Sequence, residues 1–216
     1  MEYNENKIYW DEFYRKEELY GPSSFCNLVK CSFGLEYLII DIGCGTGRDS
    51  RAFLENKYEV RGIDSSEVVI TKNNEYSLKQ YSKEVYFSID VSCVKDFSSL
   101  INSIKKIAEM QNKKILIYSR FFLHAINDDT ERVFLDTLEV YLEKGDCIAL
   151  EFRTIEDKQT TKIYDNHYRR YIDTNKFEQN LKKYNCFEVS FFQKGTGMSL
   201  YKTEDPYLAR YFIDVR

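Results

Sequence analysis

One stretch decides the fold of this 216-residue chain: Leu38-Ile39-Ile40-Asp41-Ile42-Gly43-Cys44-Gly45-Thr46-Gly47-Arg48. Its apolar first half predicts a buried β-strand. Glycines then follow at alternate positions. Because glycine has no Cβ and takes positive φ easily, they predict a turn whose backbone approaches a ligand closely. The helical segment after the turn would present unpaired N–H groups to that ligand, so the stretch predicts the floor of a binding site.

The spacing of these glycines narrows the ligand. It reads Asp-x-Gly-x-Gly-x-Gly from Asp41 to Gly47. Dehydrogenases that bind a pyrophosphate use Gly-x-Gly-x-x-Gly, and P-loop enzymes need Gly-Lys-Ser/Thr to hold phosphates and magnesium. Neither pattern is present, so the turn predicts a small cationic nucleoside. A glycine-rich turn after a strand is also, by itself, an ordinary structural connection.

Two further carboxylates strengthen the binding-site interpretation. Asp64 ends the apolar stretch 58–63, at the distance where an acidic residue would accept hydrogen bonds from two ribose hydroxyls. Asp90 closes the next apolar stretch, 85–89. Asp64 could instead cap the helix that starts at residues 65–67, since Asp and Ser both favour helix starts. Both roles can hold together.

With these residues in order, the chain resembles the class I S-adenosylmethionine-dependent methyltransferases, whose first motif is similar to Leu38–Gly47. The resemblance spans most of the chain. It implies a Rossmann-like α/β fold: a doubly wound, mostly parallel, seven-stranded sheet with a closing antiparallel hairpin. It also implies S-adenosyl-L-methionine as cofactor and S-adenosyl-L-homocysteine as product. The cofactor-binding residues it implies are Trp10, Tyr14, Asp41, Gly43, Cys44, Gly45, Gly47, Asp64, Ser65, Asp90, Val91 and Ser119.

Composition limits the class of protein. A chain of 216 residues is long enough for one domain with a hydrophobic core and too short for two full-sized ones, so we expect a single domain over 1–216. Hydrophobic content of 43%, a charged fraction of 31% and no long uncharged apolar run argue against a membrane span. The start lacks a basic leader with an apolar core, which predicts a cytoplasmic protein.

The charge balance and the cysteines exclude further classes. A net charge of −4 and a pI near 5.4 give no general attraction to a polyanion, so a nucleic-acid substrate is disfavoured. The six cysteines form no Cys-x-x-Cys pair and have no histidine close by, which predicts reduced thiols and no metal site. For Cys44, inside the glycine turn, small size explains its presence better than a nucleophilic role does.

Alternating strand and helix patterns predict the sheet. Five apolar runs read as buried parallel strands: 37–42, 58–63, 85–89, 113–119 and 146–152. Apolar residues at helical spacing lie between them, most clearly over 97–108 and 133–142. In such a sheet, ligands bind at the carboxyl ends of the strands near the switch in strand order. A helix over 173–184 and two final strands over 187–193 and 207–215 resemble the closing hairpin typical of the family.

Two segments lie outside that sheet. Within 1–30, Trp10 and Tyr14 stand one helical turn apart. They are either plain packing or, as in related methyltransferases, part of an aromatic helix that closes over the cofactor, since aromatic faces attract cations. The second segment, 153–172, carries His167 and three arginines. It is either a solvated charged loop or a wall of the substrate pocket, because it follows the fifth strand.

The residues after the fourth strand bear on the substrate. The segment Tyr118–Ile126 lacks the Asn/Asp-Pro-Pro-Tyr pattern of amino-group DNA methylation, so exocyclic base amines are an unexpected target. Arginines near a pocket mouth favour an anionic small molecule, phosphorylated or nucleotide-activated, because guanidinium binds phosphate or carboxylate bidentately. The predicted substrate-binding residues are Phe25, Arg120, Arg153, Tyr168, Arg169, Arg170 and Arg210.

The acceptor atom is expected to be oxygen, and the catalytic candidates are His124, His167 and Arg120. An oxygen that is already ionised needs no base, whereas a sugar hydroxyl would need His124 or His167 to take its proton. His124 could equally be packed behind the sheet.

Several segments, 22–25, 118–126, 151–154, 167–171 and 204–210, resemble a bacterial subgroup associated with surface-polysaccharide biosynthesis. Two other functions stay open: a non-catalytic protein that binds S-adenosylmethionine as a regulator or partner subunit, and RNA methylation. Nothing in the sequence indicates an oligomeric state.

Overall fold

The structure is a computed structural model that describes residues 9–12, 21–160, 162, 168–200 and 202–216. The strands are β1 (Tyr37–Ile42), β2 (Glu59–Asp64), β3 (Tyr86–Ser88), β4 (Lys114–Arg120), β5 (Cys147–Arg153), β6 (Phe187–Gly195) and β7 (Leu208–Val215). The helices are α1 (Ser24–Ser32), α2 (Arg48–Glu55), α3 (Glu67–Tyr81), α4 (Val94–Met110), α5 (Asp128–Tyr141) and α6 (Thr174–Leu181). Two short 3₁₀ helices cover Leu123–Ala125 and Ile155–Gln159, and residues 9–12 are also helical.

The strands form one seven-stranded sheet in the order β3-β2-β1-β4-β5-β7-β6. Neighbouring strands are parallel, except that β7 runs antiparallel to both β5 and β6. The predicted fold, a doubly wound α/β sheet with a closing antiparallel hairpin, is therefore confirmed. The strand order reverses between β1 and β4, so their carboxyl ends border the crevice where such sheets bind ligands.

Strand β1 is buried on both faces, which explains its unbroken apolar sequence. Leu38, Ile40 and Ile42 belong to the core that packs α4, α5 and α6 onto one side of the sheet. Ile39 belongs to the core on the other side, with α1, α2 and α3. Packing against both layers of helices therefore fixes the position of β1 and of the turn that follows it.

The third strand is shorter than the sequence predicts. Whereas the apolar run covers 85–89, β3 ends at Ser88. The Ile89 N–H still donates to the Asp64 carbonyl at 2.9 Å, and the Cys93 N–H then closes a turn onto the Asp90 carbonyl at 3.0 Å. Asp90 thus lies in a turn beside the end of β2 rather than in a strand.

Every helix in the described ranges is too short or too polar to traverse a lipid bilayer. The same ranges contain no group of three or more His, Cys, Asp or Glu side chains placed to hold a metal ion.

Candidate functional site

The glycine turn, residues 43–47, joins β1 to α2 at the carboxyl edge of the sheet. Gly43, Gly45 and Gly47 all have positive φ, at 74°, 50° and 71°. The N–H groups of Gly43 and Cys44 donate to the Ile63 carbonyl at 2.8 and 3.0 Å, so the turn is tied to the end of β2. Because L-residues with a Cβ rarely adopt this backbone conformation, the turn needs glycines for its shape.

Side chains that pack against the glycine turn also require small residues there. A Cβ on Gly43 would lie 2.8 Å from the Phe122 ring, and one on Gly47 would lie 3.0 Å from Asn73 Oδ1. Asn73 is buried, and its Nδ2 donates to the Gly45 carbonyl at 2.8 Å. The sequence analysis missed Asn73, because a lone Asn inside a helix carries no signal of the carbonyl it holds.

The Asp64 carboxylate completes the cradle at the end of β2. Its Oδ2 accepts the Gly45 N–H at 3.0 Å and its Oδ1 accepts the Ser66 N–H at 3.0 Å. An ionised carboxylate offers about four acceptor positions, so the group keeps capacity for a further donor. Asp64 as a residue is 9% exposed. This arrangement suits a pair of neighbouring hydroxyls.

The electrostatics of Asp64 oppose its ionisation in the free protein. Burial is the main influence and raises the pKa of Asp64, while the N–H groups of Ser66 and Gly45 act to lower it. The negative charge of Asp11 raises this pKa further. Hydroxyl donors from a ligand would stabilise the charged form, because hydrogen bonds to a carboxylate favour its ionised state.

Asp11 connects the helical residues 9–12 to the start of α3, beside Asp64. Ser66, which caps α3, donates its hydroxyl to Asp11 Oδ1. Trp10 is half-buried, with its ring 5.2 Å from the Tyr9 ring in an edge-on arrangement. The helical residues 9–12 therefore lie against the end of β2, whereas Tyr14 lies outside the described residues. Whether Trp10 and Tyr14 cover a cofactor stays a prediction.

Asp41 lies beneath the glycine turn rather than at its surface. It is 3% exposed, and the Ser50 hydroxyl donates to its Oδ2 at 2.5 Å. Burial, together with the charges of Asp49 and Asp64, raises the pKa of Asp41 to about 8 although the Ser50 hydrogen bond opposes this. The carboxyl group therefore ties α2 to β1, and its predicted contact with a cofactor is untested.

The other predicted cofactor residues lie around the same edge. Asp90 Oδ1 accepts the N–H and hydroxyl of Ser92 at 2.9 and 2.8 Å, and Val91 is 5% exposed. Ser119 donates its hydroxyl to the Ile42 carbonyl at 3.1 Å, which joins the ends of β4 and β1. The structure thus brings these residues, with the half-buried Ser65, close to the crevice between β1 and β4.

Cys44 is buried within the turn. Burial raises the pKa of its thiol well above the ordinary value, and nearby Asp41 and Asp64 add to the effect. Since the thiolate is the nucleophilic form, this environment fits an inert small side chain.

Arg120 and Arg210 share one carboxylate at the other side of the crevice. Arg120 Nε donates to Glu151 Oε1 at 2.8 Å, and Arg210 Nε donates to Oε2 at 2.6 Å. Glu151 is fully buried in β5. Arg210 Nη2 also donates to the Ser24 hydroxyl at 2.7 Å, and Arg120 Nη2 donates to the Ser199 hydroxyl at 2.9 Å. We call Arg120, Glu151 and Arg210 the arginine cluster.

Two further predicted arginines, Arg153 and Arg170, are each paired with two carboxylates. Arg153 contacts Asp157 at 2.7 Å and Glu204 at 2.5 Å, and it is 7% exposed. Arg170 forms ion pairs with Asp128 and Glu131. Tyr168 and Arg169, also predicted to bind substrate, are half-buried beside this loop. Their substrate contacts stay predictions.

Phe121 occupies the bend directly after β4. Its φ is 60°, an uncommon conformation for a bulky residue and a sign of local strain. The guanidinium carbon of Arg120 lies 4.1 Å from the centre of its ring, and that of Arg153 lies 5.6 Å away. Phe25, another predicted substrate residue, is fully buried with its ring 5.5 Å from the Arg210 guanidinium.

His124 packs behind this bend. It is 4% exposed, and its ring centre lies 5.3 Å from that of Phe121. The Arg153 N–H donates to His124 Nδ1 at 3.3 Å, an arrangement that assigns the ring proton to Nε2. This hydrogen bond fixes the orientation of the His124 ring and favours its neutral form. The role of His124 as proton acceptor stays a prediction. His167 lies outside the described residues.

No family model matches this chain, and no curated protein matches it. Solved structures do. A S-adenosylmethionine-dependent methyltransferase from Anabaena variabilis has 18% identity and a TM-score of 0.71, over 100% of this chain and 96% of its own. One from Clostridium acetobutylicum has 14% identity and a TM-score of 0.63, over 99% and 98%. A glycopeptide N-methyltransferase complexed with S-adenosylmethionine has 11% identity and a TM-score of 0.62, over 92% and 96%.

The fold is that of these methyltransferases. At such low identity the likeness concerns the fold, and in this methyltransferase fold the glycine turn, Asp64 and Asp90 follow three neighbouring strands, β1, β2 and β3.

Asp49 is the main site residue that the sequence analysis missed within the methyltransferase fold. It is 5% exposed and accepts three hydrogen bonds of 2.7 Å, from the N–H and hydroxyl of Ser23 and from the Tyr118 hydroxyl. Burial and the Asp49 charge raise the pKa of Tyr118 well above its ordinary value, so the phenol stays protonated and donates. This network holds the start of α1 over the ends of β1 and β4. The sequence signal for Asp49 is its position as an acidic residue in the first turn of α2.

Proposed function

We propose that this protein is an S-adenosylmethionine-dependent methyltransferase. One observation carries the proposal: the Asp64 carboxylate joins the Gly45 N–H to the Ser66 N–H at the end of β2 and keeps capacity for a further donor. That arrangement, beside a turn of glycines at positive φ, suits the ribose of an adenosyl ligand. The glycopeptide N-methyltransferase with this fold was solved with S-adenosylmethionine bound, which supports the same cofactor here.

The described residues divide the binding of this cofactor among them. Asp64 would accept the two ribose hydroxyls, while the glycine turn would let the backbone approach the nucleoside. Asp90 and the Val91 backbone would contact the adenine. When bound, the cofactor supplies an electrophilic methyl group. The protein contributes position, because in-line displacement needs the acceptor held about 3 Å from that carbon with water excluded.

For the acceptor, we propose an oxygen of a small anionic molecule. The arginine cluster supports this, because two guanidiniums lie at the crevice with one carboxylate between them. His124 Nδ1 already accepts the Arg153 N–H, so this nitrogen is not available to take a proton from the substrate. An acceptor oxygen that is already ionised needs no such base. A place in surface-polysaccharide biosynthesis is the finer proposal, and it depends on the resemblance of short segments alone.

The cofactor proposal is tested by calorimetry with S-adenosylhomocysteine. We expect binding to the unmodified protein, and Asp64→Ala should weaken it by about 1–3 kcal/mol because the hydrogen bonds to a charged group are lost. Asp129→Ala is the matched control, since the Asp129 side chain is 80% exposed and lies in α5. The absence of any binding heat with the unmodified protein would overturn the proposal.

A protein that binds S-adenosylmethionine without methyl transfer is the second candidate. The observation in its favour is that Arg153 and Arg170, predicted to bind substrate, are already paired with carboxylates. Incubation with cofactor carrying a labelled methyl group and a panel of small anionic acceptors separates the two functions. Label in any acceptor establishes the enzyme. Tight cofactor binding without transfer to any of them favours the regulator.

A further inference from the structure

Among the described ion-pair groups around the crevice, the arginine cluster is the one with more positive than negative charges. Arg153 and Lys162 face Asp157 and Glu204, two charges against two. Arg170 faces Asp128 and Glu131. In the arginine cluster, by contrast, two guanidiniums share the single carboxylate of Glu151. The cluster therefore carries an excess of one positive charge.

The neighbours of the cluster do not cancel this excess. Asp49 lies near Arg120, but it also pairs with Arg48 at 3.8 Å, which balances it. Asp41 lies within reach of Arg120, and with its pKa raised to about 8 it is largely uncharged at neutral pH. Burial works against the charge on Arg120, yet Glu151 and Asp49 raise its pKa overall, so the guanidinium keeps its charge.

Arg120 is the member of the cluster that meets the crevice. Its side chain is 15% exposed, against 7% for Arg210 and none for Glu151. The centre of the Phe121 ring lies 4.1 Å from the Arg120 guanidinium carbon, which is a cation–π distance. Arg120 Nη2 donates a hydrogen bond to the Ser199 hydroxyl. An aromatic ring beside a partly exposed guanidinium suits a ligand with an apolar part next to a charged one.

We propose that Arg120, supported by Arg210, binds one carboxylate of the methyl acceptor, and that Glu151 restricts the acceptor to a single negative charge at this place. The inference rests on the proposed methyltransferase function and narrows its substrate class. A phosphate monoester carries nearly two charges at neutral pH. One excess positive charge would leave the second one unpaired in a crevice of low dielectric, where an unpaired charge is costly.

Three small aromatic probes test the proposal at pH 7: benzoate, with one charge; phenyl phosphate, with nearly two; and neutral benzamide. Calorimetry at constant ionic strength, without cofactor, should show benzoate binding about tenfold or more tightly than benzamide, as expected of a charge-assisted pair. Phenyl phosphate should bind more weakly than benzoate. Equal affinity for benzoate and benzamide would overturn the proposal.

Variants assign the effect to residues. Arg120→Gln removes the excess charge and should abolish the preference for benzoate, whereas Arg120→Lys should keep part of it. Arg132→Gln, at an exposed arginine of α5, should change nothing. Glu151→Gln should reverse the order of benzoate and phenyl phosphate, provided that it folds; Arg120→Gln decides the matter if it does not. A preference that survives in Arg120→Gln contradicts the proposal.

Binding of S-adenosylhomocysteine to the same proteins separates the sources of the anion. If Arg120 serves the acceptor, Arg120→Gln keeps its affinity for S-adenosylhomocysteine. A large loss of that affinity would assign the guanidinium to the carboxylate of the cofactor and overturn the inference. Failure of the unmodified protein to bind S-adenosylhomocysteine is a different result: it refutes the proposed function, while the benzoate measurement is read independently.

Discussion

The two sides of the crevice differ in the chemical groups that form them. On the side of β1 and β2, the glycine turn forms its contacts mainly with backbone N–H groups, and the Asp64 and Asn73 side chains form hydrogen bonds with it. On the side of β4, β5 and β7, the arginine cluster is made of charged side chains from three strands. The first side depends on the shape of one short segment. The second depends on charges that are distant in sequence and meet only after folding.

The largest effect should come from the arginine cluster. Glu151→Ala leaves the buried Arg210 and the partly exposed Arg120 without their shared partner, and we expect a loss of about 3–5 kcal/mol in the free energy of unfolding. Urea denaturation measures it. The control is Glu188→Ala, which removes an exposed ion pair with Arg216 and should cost under about 1 kcal/mol. Equal losses in both variants would mean that the buried cluster contributes no more than a surface pair.

The glycine turn is tested by Gly43→Ala. Positive φ costs an L-residue about 1–2 kcal/mol, and the new Cβ would also lie 2.8 Å from the Phe122 ring. We expect a combined loss of about 2–4 kcal/mol in the free energy of unfolding, because overpacking adds to the strain. Gly197→Ala is a matched control, since Gly197 has a φ of 76° and a Cβ added there would meet no atom within 4 Å. Identical effects at both positions would refute close packing as the reason for Gly43.

Asp41 allows a pH test of the layer beneath the turn. Its pKa is raised to about 8 in the folded protein, whereas an unfolded Asp titrates near about 3.9. Between these values the folded state keeps a proton that the unfolded state has lost, so stability should fall as pH rises, by at most about 1.4 kcal/mol per pH unit. Over pH 5 to 7 this amounts to about 1–3 kcal/mol. Asp41→Asn keeps an acceptor for Ser50 and should flatten that slope; an unchanged slope would show that other groups cause it.

The smallest effect concerns the bond that crosses between the two sides. Tyr118→Phe removes the hydroxyl that donates to Asp49 and should cost about 1–2 kcal/mol of stability. Tyr184→Phe, which loses a bond to exposed Asp136, is the control and should cost less. If the two sides act independently, affinity for S-adenosylhomocysteine stays the same in Tyr118→Phe. A clear loss would show that α1 and Asp49 transmit the change to the cofactor side.

Local sequence patterns made the side of β1 and β2 predictable. The glycine spacing and the apolar run before it indicated the strand, the turn and the position of Asp64, because all of these depend on neighbours in sequence. The end of β3 was placed one residue too late, since the run 85–89 is apolar but the ladder stops at Ser88.

The side of β4, β5 and β7 was only partly predictable. The sequence shows Arg120, Arg153 and Arg210 but not their partners, since Glu151 lies 59 residues before Arg210 and Glu204 lies far beyond Arg153. A charge pattern along the chain cannot reveal which guanidiniums a fold neutralises. For the same reason, the role of Asp49 in holding Ser23 and Tyr118 became visible only in three dimensions.

The contact between the Gly45 N–H and Asp64 has a consequence for how such proteins diverge. The donor belongs to the main chain, so this hydrogen bond depends on the positive φ that glycine allows at residue 45 and on no particular side chain there. Substitutions can therefore accumulate in the surrounding sequence without removing this hydrogen bond. Chains with few identical residues can therefore keep the same hydrogen bond between this turn and the end of β2.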